Sequence, residues 1–222
     1  MMDSGLIEQN AKTRQYRLGP GVLRLATIRE DAFPMESIIK AQLRPLALAT
    51  GETSHAQLIT GTSVVSIASF ESTKSNRVSP MIGDINPMHA TASGLVILAY
   101  FDEALRKRVL STKMDAKTRF TETDPDALAQ RIEQAFLSGY GEADQTYFEG
   151  VCGIAAPIFD AERLPVGAMA VATPSHRVTP DLRERIVGAV LQSALRVTKE
   201  TGGTLPIGYQ ARIESALGYG GN

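Results

Sequence analysis

The chain has 222 residues, 43% hydrophobic and 21% charged, with a formal net charge of -1, so it can bury a real core and lacks the global positive bias of a surface dominated by phosphate binding. The single cysteine, Cys152, excludes an internal disulfide and a cysteine-rich metal site, and it points to a reducing compartment. The start Met1-Met2-Asp3-Ser4-Gly5 lacks the charged and apolar regions of a signal peptide, and no apolar run approaches the roughly 18 residues of a membrane span; a soluble, cytoplasmic protein with no membrane partner is expected.

Residues 5 to 18 read as two short strands around a polar tip, with Ile7, Tyr16 and Leu18 as apolar anchors and Lys12, Arg14 and Arg17 clustered at the tip. A basic hairpin of this kind suits contact with a DNA backbone, although these residues alone favour an ordinary solvated hairpin. Gly19-Pro20 breaks the pattern, and Val22, Leu23, Ala26 and Ile28 give an apolar side to a short linker helix that can pack against a partner chain. After Phe33-Pro34, Ile39, Leu43, Leu46 and Ala47 fall at helical spacing up to Gly51, with Pro45 expected to kink the helix or end its first part.

Strands are predicted over 55–59 and 64–70 around Thr60-Gly61-Thr62-Ser63, with His55 assigned to structure rather than chemistry. A loop and a short strand over 78–85 lead into Asn86-Pro87-Met88-His89. The next helix has two possible starts. Thr91 can cap it, leaving first-turn amides of Ala92, Ser93 and Gly94 to attract an anion; or Asn86 caps with Pro87 at the first position, and the small residues merely allow close packing. Further helices are predicted over 102–110, from Asp124-Pro125 to Gly139, and from Thr179-Pro180-Asp181 to about residue 200; residues 201–222 are expected to be a flexible tail.

Residues 143–148 are expected to be extended or loop, feeding a hairpin in which the apolar runs 151–159 and 165–173 flank Asp160-Ala161-Glu162-Arg163. Alternation puts Val166, Ala168, Ala170 and Ala172 on one face of its second strand. Such small side chains leave room for either a close helix backbone or a small ligand.

Catalytic constellations are not evident. Cys152 lies in an apolar strand, which suits an inert buried thiol better than a Cys/His hydrolase. Neither a phosphate loop, a dinucleotide fingerprint nor a paired-histidine metal motif occurs, so no cofactor and no enzyme activity are expected, and a ligand-binding domain is favoured.

In their order and spacing, Gly5-Leu-Ile-Glu with Tyr16-Arg-Leu-Gly-Pro20, Thr50-Gly-Glu-Thr53, Met88-His-Ala-Thr91 with Gly94, Gly139-Tyr140, and Glu149-Gly-Val with Ile154-Ala-Ala-Pro-Ile-Phe-Asp160 make the chain resemble the IclR family of bacterial transcription regulators up to about residue 200. The resemblance implies an α/β fold: a GAF-like effector-binding domain over 33–200, with a central mostly antiparallel sheet flanked by helices, preceded over 1–32 by the wing of a winged helix-turn-helix and a linker helix. It also implies a small-molecule effector, DNA as partner, and a homodimer or homotetramer.

Two departures stand out. The chain begins where the family's recognition helix ends, so the DNA-binding domain is incomplete here; a fragment, a start placed too late, or a regulator without specific DNA binding would each account for this. Lys12, Arg14 and Arg17 of the wing would then touch the DNA backbone. Second, positions that hold a carboxylate, a thiol and hydroxyls for keto acids in relatives align to Ala143, Gly153, Ala170 and Ala172, and the helix-start amides align to Ala92 and Ser93. A pocket bounded by these six residues with Val78 and Met88 is expected, roomier and less polar than a keto-acid site, taking an aromatic or otherwise bulkier acid. The expected function is a ligand-responsive transcriptional regulator, the alternative a stand-alone GAF-like sensor or interaction module without direct DNA binding.

Overall fold

The computed structural model describes residues 5–10, 12–32 and 35–216. The chain forms two units, Met1–Ser37 and Ile38–Asn222. In the first, β1 (Ile7–Gln9) and β2 (Tyr16–Leu18) pair antiparallel, as expected, and are followed by helix α1 (Gly21–Ala32). The tip is closed by Asn10, whose side chain accepts from the Lys12 and Thr13 amides, and by Arg14 in a left-handed conformation (φ 61°). Leu23, Leu25 and Ile28 are exposed on α1.

Helix α2 (Met35–Thr50) runs through Pro45 without ending, because burial of Leu43, Leu46 and Ala47 offsets the missing backbone bond. It leads into a six-stranded sheet, all of whose pairs are antiparallel, in the order β5 (Ile85–Pro87), β4 (Ser63–Phe70), β3 (Thr53–Thr60), β8 (Pro165–Pro174), β7 (Val151–Phe159), β6 (Gly141–Asp144). The strand expected over 78–85 shrinks to β5; residues 71–84 form a loop, consistent with their high content of serine, lysine, arginine and asparagine. Helices α3 (Ala92–Tyr100) and α6 (Pro180–Glu200) both pack on β7 and β8, which explains why these strands are buried almost throughout. Helices α4 (Glu103–Ser111) and α5 (Pro125–Ser138) complete the α3 side.

The expected flexible tail is corrected over 209–216, where α7 (Tyr209–Ala216) docks against α5. Tyr209 and Ile213 are each 1% exposed, and the Tyr209 hydroxyl donates to the Gly139 carbonyl at 2.9 Å. Residues 217–222 of that segment lie outside the described residues. No described helix is long and apolar enough to cross a membrane.

Candidate functional site

The residues that floor the site come from one row across the sheet. Ala143 on β6 pairs with Gly153 on β7, and Gly153 with Ala172 on β8; Ala170 follows on the same face of β8. Over this row stands the start of α3. A Cβ at Gly141 would lie 2.3 Å from the Ala92 carbonyl oxygen, so glycine is what lets the helix approach β6, while a Cβ at Gly153 would make an ordinary 3.6 Å contact with Ala92. Both explanations for the small-residue face therefore hold at once: part of it admits the helix and the rest opens into a cavity of about 290 Å³.

Of the two possible helix starts, the structure has the first. The Thr91 hydroxyl accepts from the Gly94 amide at 3.1 Å, and the Leu95 amide is taken by the Thr91 carbonyl. The Ala92 and Ser93 amides have no partner among the described residues, which leaves two donors at the positive end of a helix dipole. Gly94 is required one turn in, because its Cβ would fall 2.2 Å from the Met88 carbonyl oxygen.

Seven of the expected pocket residues, Val78, Ala92, Ser93, Ala143, Gly153, Ala170 and Ala172, line this cavity. Met88 does not: it is fully buried in a short 3-10 turn over Met88–Ala90, where the turn that feeds α3 draws its side chain into the core. Sequence reasoning missed the wall contributed by His55, Gln57 and Ser66 of β3 and β4, by Asn86, by Tyr147 and Phe148, and by the 79–84 part of the loop. Alternation along β3 was the available signal for His55 and Gln57, since residues facing Ala170 and Ala168 across the strand pair share their face.

The loop over the cavity is fastened at both ends. Thr53 Oγ1 donates to the Val78 carbonyl at 2.7 Å, Arg177 Nη2 donates to the Asn76 carbonyl at 2.7 Å, and Ser66 exchanges backbone bonds with Gly83 and Asp84. Glu52, fully enclosed, holds the loop's Lys74 at 2.7 Å and Arg177 at 2.9 Å. Across the cavity, Tyr147 and Phe148 present two rings with centroids 4.5 Å apart at 66°. Their segment is fixed by Thr146, whose hydroxyl donates to the Ala90 carbonyl, and by Thr121, whose hydroxyl donates to the Thr146 carbonyl.

His55 Nδ1 is buried without a hydrogen-bond partner among the described residues. Burial pushes its imidazole down to about 4 from the ordinary 6.5, so the ring stays neutral at physiological pH. Because the folded-state value lies below the unfolded one, its contribution to stability is complete above about 6.5 and is lost as pH falls toward about 4. Because the ring is half-buried, between about pH 7 and about pH 5 the wild type should lose on the order of 1 kcal/mol more than His55→Leu, measured by urea denaturation. Equal losses would show that the imidazole is not held neutral. Cys152 is 2% exposed and its thiol is pushed up to about 12, chiefly by burial, which makes it inert as a nucleophile.

In the first unit, Lys12, Arg14 and Arg17 are exposed, and Arg17 is paired with Glu8 at 2.9 Å.

Residues 31–199 match the family model described as the bacterial transcriptional regulator IclR C-terminal domain. The glycerol operon regulatory protein of Streptomyces coelicolor is 29% identical over 204 residues, which span 91% of this chain and 80% of that protein. A crystal structure of an IclR-type transcriptional regulator from Silicibacter sp. TM1040 superposes with a TM-score of 0.89 at 36% identity, covering 93% of this chain and 82% of that one. An IclR homologue from Microbacterium hydrocarbonoxydans, solved in complex with 4-hydroxybenzoate, shares the fold with a TM-score of 0.75 at 23% identity, covering 90% of this chain and 81% of that one. These relatives are regulators rather than enzymes. With the family match spanning most of its length, the chain belongs to the IclR family of bacterial transcription regulators, with an effector-binding C-terminal domain.

Proposed function

We propose that the cavity over the sheet binds an aromatic monocarboxylate and that occupancy controls DNA binding by the regulator. The observation that carries this is the pairing of two unpartnered amides, Ala92 and Ser93, with a cavity of about 290 Å³ whose floor is Ala143, Gly153, Ala170 and Ala172. The amides suit a carboxylate; the small floor removes the polar contacts a keto acid would need and makes room for a ring. Tyr147 and Phe148 supply aromatic wall for that ring to pack against. That a homologue of this fold was solved in complex with 4-hydroxybenzoate supports a ligand of this kind.

The expected result is a thermal shift with benzoate or 4-hydroxybenzoate, and none with glyoxylate or pyruvate at the same concentration. Stabilisation by the keto acids alone would overturn the reading. Lys12 and Arg14, exposed at the wing tip, suit DNA phosphates, with Arg17 partly neutralised by Glu8. The exposed Leu23, Leu25 and Ile28 of α1 suit a second copy of the chain in a cytoplasmic homo-oligomer.

A further inference from the structure

His55 and the α3 start mark two ends of the cavity. Across the β3–β8 pair His55 stands opposite Ala170, on the cavity face. The α3 start lies over Gly153 of β7, and β3 is two strands away from β7, a lateral offset of about 10 Å at the usual strand spacing. That distance suits one six-membered ring with a carboxylate at one end and a hydrogen-bonding group at the other.

Neither ring nitrogen of His55 is hydrogen-bonded among the described residues. Nδ1 is shut away from solvent, whereas Nε2 is not, and the ring forms part of the cavity wall. Nε2 is therefore the ring nitrogen within reach of a ligand, and in the tautomer that carries its proton there the neutral ring is a donor toward the cavity. The neighbouring amide cannot take that role. Gln57 Nε2 already donates to Ser66 Oγ at 3.2 Å and to Asn86 Oδ1 at 2.7 Å. Nor can the wall neutralise a second anion, since its described residues include no lysine or arginine and one carboxylate, Asp84.

We infer that His55 selects the effector: it donates from Nε2 to a neutral oxygen, a hydroxyl or equivalent acceptor, at the end of an aromatic monocarboxylate remote from its carboxylate. This rests on the assignment of the cavity as the effector site, and it excludes both unsubstituted aromatic acids and aromatic dicarboxylates as preferred ligands.

Calorimetric titration of the full chain with benzoate, 4-hydroxybenzoate and terephthalate tests it. The wild type should bind 4-hydroxybenzoate roughly tenfold more tightly than benzoate, with terephthalate weaker than benzoate. His55→Leu should bind 4-hydroxybenzoate and benzoate equally, while His55→Gln, which offers an amide donor from the same position, should keep a preference for 4-hydroxybenzoate. Circular dichroism identifies a variant that has not folded, and the wild-type ligand ratio and His55→Gln then decide. Equal binding of the two acids by the wild type, a preference retained in folded His55→Leu or a preference lost in folded His55→Gln overturns the role of His55 alone. If no aromatic acid binds the wild type, the assignment of the cavity falls as well.

Discussion

Ala170→Leu is expected to abolish stabilisation by aromatic monocarboxylates while leaving the protein folded. Ala170 is 1% exposed, yet the space above its methyl group is the cavity rather than packed core. A leucine there projects its branched end into the volume a ring would occupy and meets His55 across the strand pair. Because the added atoms enter empty space, the cost of overpacking should stay near the low end, about 1 kcal/mol. Binding should weaken by roughly 100-fold or more, since the ring and the leucine cannot both be accommodated. Thermal shift and calorimetry read both quantities. A folded Ala170→Leu variant that still responded to the ligand would place the effector elsewhere.

The second large effect concerns stability. Tyr209→Ala should cost on the order of 4 kcal/mol in urea denaturation, because it removes a buried ring from a cluster and leaves a void. Its centroid lies 5.2 Å from Tyr100 and 5.1 Å from Phe159, both in edge-to-face geometry, and its hydroxyl caps the Gly139 carbonyl at the end of α5. Tyr209→Phe keeps the ring and loses the bond to Gly139, so it should cost about 1 kcal/mol. If Tyr209→Ala lost less than about 1 kcal/mol, α7 would contribute nothing to the domain.

The contrast between α6 and α7 shows what a sequence pattern can carry. Helix α6 is legible because Thr179 caps it, Pro180 opens it, and Leu182, Ile186, Val190 and Leu191 repeat its buried stripe, with Leu195, read on the same stripe, left half-buried. Among the described side chains of α7, Tyr209 and Ile213 are buried, within a stretch rich in glycine, so local periodicity is too short to register; its docking is a tertiary effect. The site divides in the same way. Ala170 and Ala172 were legible from strand alternation and family spacing together, whereas Ala143 and Gly153 came from family spacing alone. Met88 was misplaced because sequence proximity to the helix start says nothing about which way a side chain in a tight turn points. Tyr147 and Phe148 reach the cavity through a loop held by threonine hydroxyls, an arrangement with no local pattern to reveal it.

The order of the sheet has a consequence for the protein's behaviour at high concentration. Its two outer strands, β5 and β6, are the shortest of the six, at three and four residues. β5 ends in Pro87, which offers no backbone donor. Along β6, Arg131 occupies the Glu142 carbonyl and Arg183 holds the Glu142 side chain, so charged groups crowd that edge. Neither border offers the long, bare backbone ladder on which another chain could add strands, which guards a sheet this rich in valine, isoleucine and alanine against edge-to-edge aggregation.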